Sequence, residues 1–298
     1  MIRTLCAICN RETSSKIMFV ANVSGKKIDE KTFSARRIPD RIHSRIVRCK
    51  VCRLVRQDPM LDGDELKMLY ERSEFTYERE VKNLKKTYGF YLNRLGKLVK
   101  KGSKLLEVGC GNGFFLEEAR DQGYENVYGI EPSGDAIAKA RPDIKNRIKQ
   151  GLFDKNSFSK NSFDIICLFQ VFDHIPEPNK FLEACHSILR PRGIILVLNH
   201  DVSALPAKIL RSKCPIIDIE HPYLYDKDTI KEIFMRNDFQ ILAVSRAKSI
   251  FALEYLVRLI PLPKGVKEIM VWTLLMLGLS RANVTIYAGN LVLVARKR

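Results

Sequence analysis

The chain has 298 residues, 46% of them hydrophobic, and its 51 Lys and Arg against 34 Asp and Glu give a formal charge of +17. Such length and apolar content exclude a disordered polymer and a disulfide-stapled miniprotein, and suit one sizeable domain plus an appendage. The charge argues for anionic company, whether phosphate, acidic lipid or nucleic acid, without choosing among them.

The first ten residues, MIRTLCAICN, contain no apolar run, so the expected location is the cytosol. In a reducing compartment the eight cysteines are better explained by metal ligation and burial than by disulfides. Cys6-x-x-Cys9 and Cys49-x-x-Cys52 each turn two thiolates toward one centre. Together they make the four-ligand set of a closed structural Zn2+ site, with no position left open for chemistry. Residues 1–58 are therefore expected to be a zinc-binding knuckle. The long interval 10–48 requires strands of its own, predicted at Lys16–Val20 and Arg45–Val47. Between Lys26 and Arg56 stand eleven basic and three acidic residues, read either as a solvated face or as a functional patch.

Residues 59–101 show helical spacing, with Leu66, Leu69 and Tyr70 and then Leu84, Tyr88, Tyr91, Leu92, Leu95 and Leu98 recurring at three- and four-residue steps. They are expected to form a helical linker or cap. From residue 102 to 298, apolar strands alternate with helices, the pattern of βαβ units and an α/β fold. The predicted strands are Lys104–Val108, Asn126–Glu131, Arg147–Gln150, Phe163–Phe169, Gly193–Asn199, Phe239–Ser245 and Asn290–Arg296.

The most informative stretch is Glu107-Val108-Gly109-Cys110-Gly111-Asn112-Gly113, a strand entering a glycine turn ahead of an apolar helix. Such a turn lets backbone approach a ligand and aims N–H groups from a helix start. Glu131, at the end of the next strand, is placed to accept bonds from ribose hydroxyls. A dinucleotide site needs a glycine three positions after the second one of the fingerprint, but Phe114 stands there. Glu107 suits a ligand carrying a cationic amine better than a pyrophosphate.

With Tyr128-Gly129-Ile130-Glu131-Pro132-Ser133, Ser162 to Ile166, Gln170-Val171-Phe172-Asp173-His174-Ile175 and Leu189 to Ile195 following in order, the chain resembles class I S-adenosylmethionine-dependent methyltransferases from Tyr70 to Arg298. The resemblance implies a Rossmann-like seven-stranded sheet of order 3-2-1-4-5-7-6 with strand 7 antiparallel, preceded by a small zinc-ribbon-like unit. It implies S-adenosyl-L-methionine as cofactor, held by Glu107, Gly109, Cys110, Gly111 and Gly113, with Glu131 and Pro132 at the ribose. Leu152 and Phe153 would then flank the adenine, and Phe169 and Gln170 would lie beneath the sulfonium. Asp173 stands where the family usually has Glu. A looser similarity, through the cysteine pairs, is to bacterial methyltransferases of sugar and glycolipid pathways.

An alcohol acceptor gains from a general base. His174, which follows the fourth strand of the sheet, and His221, which faces substrate or caps the next helix, are the candidate catalytic residues, with His200 a third. Cys110, Cys167 and Cys185 are expected to pack as small hydrophobes, and Tyr70 and Tyr77 to pack or to cover the cofactor. Residues 250–289 form an insertion whose apolar runs, with Lys264, Lys267 and Arg281 alongside, suit a lid, an interfacial helix or a dimer contact. The expected activity is methyl transfer to a hydroxyl of a sugar or lipid-linked intermediate, with peripheral membrane contact through 250–289 at the inner face. The alternatives are an RNA or protein methyltransferase and a non-catalytic cofactor-binding scaffold.

Overall fold

The computed structural model describes every residue except 11–14, 24–27, 29, 34–41, 77 and 281. Tyr77, Arg281 and much of the basic run between Lys26 and Arg56 therefore lie outside the described residues. Among the described residues are eleven strands: β1 Ser15–Phe19, β2 Ile46–Cys49, β3 Val55–Gln57, β4 Leu105–Val108, β5 Val127–Glu131, β6 Ile148–Gln150, β7 Phe163–Phe169, β8 Leu189–His200, β9 Tyr223–Leu224, β10 Phe239–Ala252 and β11 Asn283–Lys297.

Seven of them form one sheet in the order β6-β5-β4-β7-β8-β11-β10, parallel from β6 to β8, with β11 antiparallel to both neighbours. This is the expected 3-2-1-4-5-7-6 order. β4 is buried at all four residues and β7 at six of seven, because helices cover both faces of a parallel sheet. The turn Pro191-Arg192-Gly193 lies inside β8, where Leu189 pairs with Phe163 and Ile194 with Ile165. Three spare residues on β8 are thus looped out opposite a two-residue step, and Arg192 takes φ 64° there.

β10 and β11 continue past the sheet as a two-stranded ribbon, pairing Ser249 with Ile286 through Ala252 with Asn283. At its tip sit the helices Leu253–Leu259 and Lys264–Met276. Both ends of the 250–289 segment are therefore strand, and only its centre is helical. In the second helix none of the thirteen residues is buried. Among the described residues no helix is long and apolar enough to cross a membrane.

The remaining strands form a second, antiparallel sheet of order β1-β2-β3-β9. Its last strand comes from residues 223–224, so the large domain completes the sheet of the amino-terminal unit. Cys6, Ile8, Cys49 and Leu54 share one apolar cluster with Phe172, Phe181, Tyr223 and Tyr225. The helix Val81–Asn93 packs against helix Phe114–Asp121 and β10, its Tyr88 ring stacked on Phe169 at 4.2 Å.

Candidate functional site

Two cavities open at the carboxyl ends of the parallel strands, where open α/β sheets bind ligands. They share Gly109, Gln170, Val171, His174 and Glu220.

The first, of about 490 Å³, is lined by Gly109, Gly111, Glu131, Pro132, Leu152, Phe153 and Gln170. Gly109 takes φ +69°, and a side chain there would meet Val171 Cγ2 at 2.6 Å, so only glycine fits. Glu131 fixes the loop from across the sheet, accepting bonds from the Gly111 N–H to Oε2 and the Ser133 N–H to Oε1, each 2.9 Å. Burial raises the Glu131 carboxyl, and these two N–H donors oppose the rise. Tyr70 and Phe75, contributed from residues 59–101, close the outer side.

Glu107 and Phe169 line the second cavity rather than the first, while Cys110 and Gly113 line neither. Cys110 is buried, with Sγ against the backbone at Gly129, where a side chain would meet it at 2.4 Å. Glu107 is buried and its Oε2 has no hydrogen-bond partner among the described residues. Burial, and after it the charge of Glu131, pushes its carboxyl well above the usual range. An unpaired buried acid at a cavity wall is costly, and a ligand ammonium is the group that would relieve it. Gln170 has φ 58° and a buried, unpartnered Oε1. A left-handed non-glycine at the junction of two cavities is the kind of strain that clusters at functional sites. The glycine loop, Glu131 and Glu107 thus fit the polar parts of an amino-acid nucleoside.

The second cavity, of about 520 Å³, has a polar wall and an apolar roof. The wall holds His174, His200 and His221, with His221's ring 4.6 Å from His174's and 5.1 Å from His200's, grouped about the fully buried Asp173. His200 Nδ1 lies 2.5 Å from Asp173 Oδ2, and Tyr70 Oη lies 2.9 Å from His174 Nδ1. Burial opposes the charge of Asp173, but the imidazoles, His200 foremost, hold its carboxyl below the usual range. His221 is driven the other way, lowered well below the ordinary histidine value by burial and then by His174. The roof is Phe251, Tyr255, Leu259 and Tyr287 from the ribbon and its first helix.

From the sequence His200 is a third candidate and Asp173 a departure from the family; their pairing is made by the fold. So is the placement of Gln57, whose buried Nε2 lies 3.0 Å from each of the carbonyl oxygens of Asp218, Ile219 and His221. This one side chain of the amino-terminal unit holds the loop that presents His221. Nothing in the spacing of the sequence links residue 57 to residue 221.

The four paired cysteines converge, with Cys6 Sγ 3.3 Å from Cys52 Sγ and Cys9 Sγ 3.9 Å from Cys49 Sγ. Tetrahedral Zn–S bonds of about 2.3 Å place sulfurs about 3.8 Å apart. Burial raises the Cys9 and Cys52 thiols; at Cys49 the backbone N–H groups of Cys52 and Val51, with bonds from the neighbouring thiols, outweigh burial and lower the thiol to about 6. The donor set fits a thiolate-bound ion.

Residues 79–244 match a family described as "Methyltransferase domain". The chain is 27% identical over 111 residues to the ubiquinone biosynthesis O-methyltransferase of Cronobacter sakazakii, covering 35% of this chain and 44% of that one. The protein of the same name from Pasteurella multocida is 30% identical over 112 residues, covering 32% and 45%. The chain thus spans less than half the length of the curated relatives it matches. Among solved structures it is similar to the YcgJ protein of Bacillus subtilis, with a TM-score of 0.51 at 16% identity over 70% of this chain and 98% of that one. A putative methyltransferase of Bacillus halodurans gives 0.50 at 17% identity over 69% and 98%. At these identities the structural likeness shows the fold.

Proposed function

The chain belongs to the methyltransferase-domain family and is a class I S-adenosylmethionine-dependent methyltransferase; from that premise we propose that it methylates a hydroxyl of a sugar or lipid-linked intermediate. The observation that carries this reading is the meeting of two unlike cavities at Gln170, Val171 and His174. One offers glycine backbone and carboxylates. The other offers histidines beneath an apolar roof, and the relatives named O-methyltransferases support a hydroxyl as acceptor.

Bound S-adenosylmethionine supplies a methyl group already made electrophilic by its sulfonium. The chain's own work is to hold, align and exclude water. We assign Gly109 and Gly111 to backbone contact with the cofactor, Cys110 and Gly113, which line neither cavity, to shaping the loop that makes it, Glu107 to its ammonium, and Glu131 with Pro132 to its ribose. Leu152 and Phe153 flank the base, and Phe169, backed by Tyr88, and Gln170 close the pocket where the cavities meet. His174 and His221 are the assigned catalytic histidines. His174 lines both cavities, and with Tyr70 donating toward the Glu220 carbonyl oxygen at 3.5 Å, His174 Nδ1–H donates to Tyr70 Oη. In that tautomer Nε2 carries the lone pair that would receive the acceptor's proton.

In this reading Cys6, Cys9, Cys49 and Cys52 hold a structural Zn2+ in residues 1–58, residues 59–101 cap the cofactor, and 102–298 carry the chemistry. The apolar roof and the exposed helix Lys264–Met276 support peripheral contact with the inner face of a membrane, where a lipid-linked acceptor is met. The charge of +17 also favours a second reading, methylation of RNA or protein with the cysteine unit as docking module.

Calorimetric titration tests the class: S-adenosylmethionine should bind and NADH should not, and Glu131→Ala should weaken binding by at least tenfold, since a charge-assisted bond contributes about 1.5–3 kcal/mol. Labelled methyl should then pass into a glycolipid extract. Transfer to RNA or protein instead would select the second reading, and binding without turnover on any of them would leave a scaffold.

A further inference from the structure

We propose that Asp173, His200 and His221 form a second metal site, which takes a divalent first-row ion through one carboxylate and two imidazoles on the wall of the acceptor cavity. The three side chains come from three separate places in the chain: the turn after β7, the end of β8 and the loop before β9. Their ligand atoms lie within 4.8 Å of one another.

Two atoms make the case. Asp173 is fully buried, and while Oδ2 is paired with His200, Oδ1 has no hydrogen-bond partner among the described residues and lies 3.9 Å from His174 Nε2. His221 is buried too, and its Nδ1 is likewise unpartnered. An unpaired acceptor in the interior is costly, and more so when charged. In the tautomer that carries the His221 proton on Nε2, both orphaned atoms present lone pairs and cannot bond each other, whereas one cation satisfies both. Metal bonds of about 2.0–2.2 Å to nitrogen and oxygen set ligand atoms about 3.3 Å apart, so side-chain shifts of about 1 Å close the cluster on an ion. Two imidazoles with a carboxylate suit a borderline ion, a donor set unlike the four thiolates of the amino-terminal unit.

The position gives the ion a task. An acceptor hydroxyl bound there would lose its proton to His174 Nε2; its oxygen would form a bond to the methyl carbon as the carbon–sulfur bond breaks and leaves its electron pair on sulfur. A bound cation lowers the pKa of such a hydroxyl, which an imidazole alone does poorly. That use rests on the methyl-transfer reading above, but the presence of the site does not.

The test is made on the full chain, first saturated with Zn2+, freed of excess and analysed for bound metal. Two equivalents per chain are expected, falling to one in His200→Ala and in Asp173→Asn while S-adenosylmethionine affinity stays within about threefold, a criterion that also shows the variants fold. One equivalent in the wild type, or two retained in both variants, would overturn the proposal. Cobalt substitution gives an independent reading on unaltered protein. Filling of the proposed site adds weak visible bands without further thiolate-to-metal charge transfer, and a spectrum that saturates with thiolate bands alone counts against it.

Discussion

Two appendages flank the acceptor cavity, and they are attached in opposite ways. The amino-terminal unit gives its edge strand β3 to β9, its Cys6, Ile8, Cys49 and Leu54 to the main core, and its Gln57 to three carbonyls of the His221 loop. The ribbon at the other end continues two strands of the main sheet, yet the helix at its tip leaves Ile269 66% and Trp272 61% exposed. Apolar content therefore does not decide which appendage joins the core. What decides it is whether a neighbour offers strand edges and polar partners at matching positions. The first shares the core of the large domain; the second leaves most of the apolar residues of its longer helix exposed.

If the amino-terminal unit is integral, Cys49→Ser or chelation should have the largest effect, a loss on the order of several kcal/mol in denaturant unfolding, since structural metal binding contributes directly to folding. A chelator that leaves unfolding unchanged would detach zinc from the fold. Gln57→Leu should follow at about 3 kcal/mol, because it strands buried carbonyls. It should weaken acceptor turnover while leaving S-adenosylmethionine affinity intact, and equal losses of both would show that the loop is merely scaffold.

Glu107 sharpens the contrast within the site itself. Its carboxyl is raised in the folded chain, so above the ordinary glutamate value the folded state keeps a proton that the unfolded state has lost. Its contribution is fully present at acid pH and is lost as pH rises, by up to about 1.4 kcal/mol per unit. Glu107→Gln should therefore make the ligand-free protein more stable at pH 7 and flatten the thermal stability profile between pH 5 and 7, while weakening cofactor binding. An unchanged profile would place the carboxylate in water.

The smallest effect on folding is expected at the hairpin. Ile269→Ser should shift stability by no more than about 0.5 kcal/mol, as at other exposed positions, but should reduce binding to anionic vesicles. Trp272 is the only tryptophan in the chain, so its emission reports directly on this helix. A blue shift on vesicles of phosphatidylcholine with phosphatidylglycerol, absent with phosphatidylcholine alone, is expected; a shift with protein concentration in their absence would assign the face to a second copy of the chain.

The sequence by itself determined the sheet. Strands such as Leu105–Val108 and Phe163–Phe169 are apolar runs broken by one carboxylate each, and the glycine loop with Glu131 two elements later is a local pattern, so both were legible from residue order alone. The cysteine pairs were legible for the same reason, each being a four-residue turn. The ribbon was not, because Arg246 and Lys248 interrupt the apolar pattern of β10 where it leaves the sheet, although Ala247, Ser249 and Phe251 on its other face stay buried. Tertiary structure alone decided the acceptor side. Residues 57, 70, 107, 173, 200 and 221 come from six separate segments, and a site built from loop ends has no period, since each side chain is fixed by the element it leaves and not by its neighbours in sequence. The orphaned oxygen of Asp173 and nitrogen of His221 exist only where those segments meet.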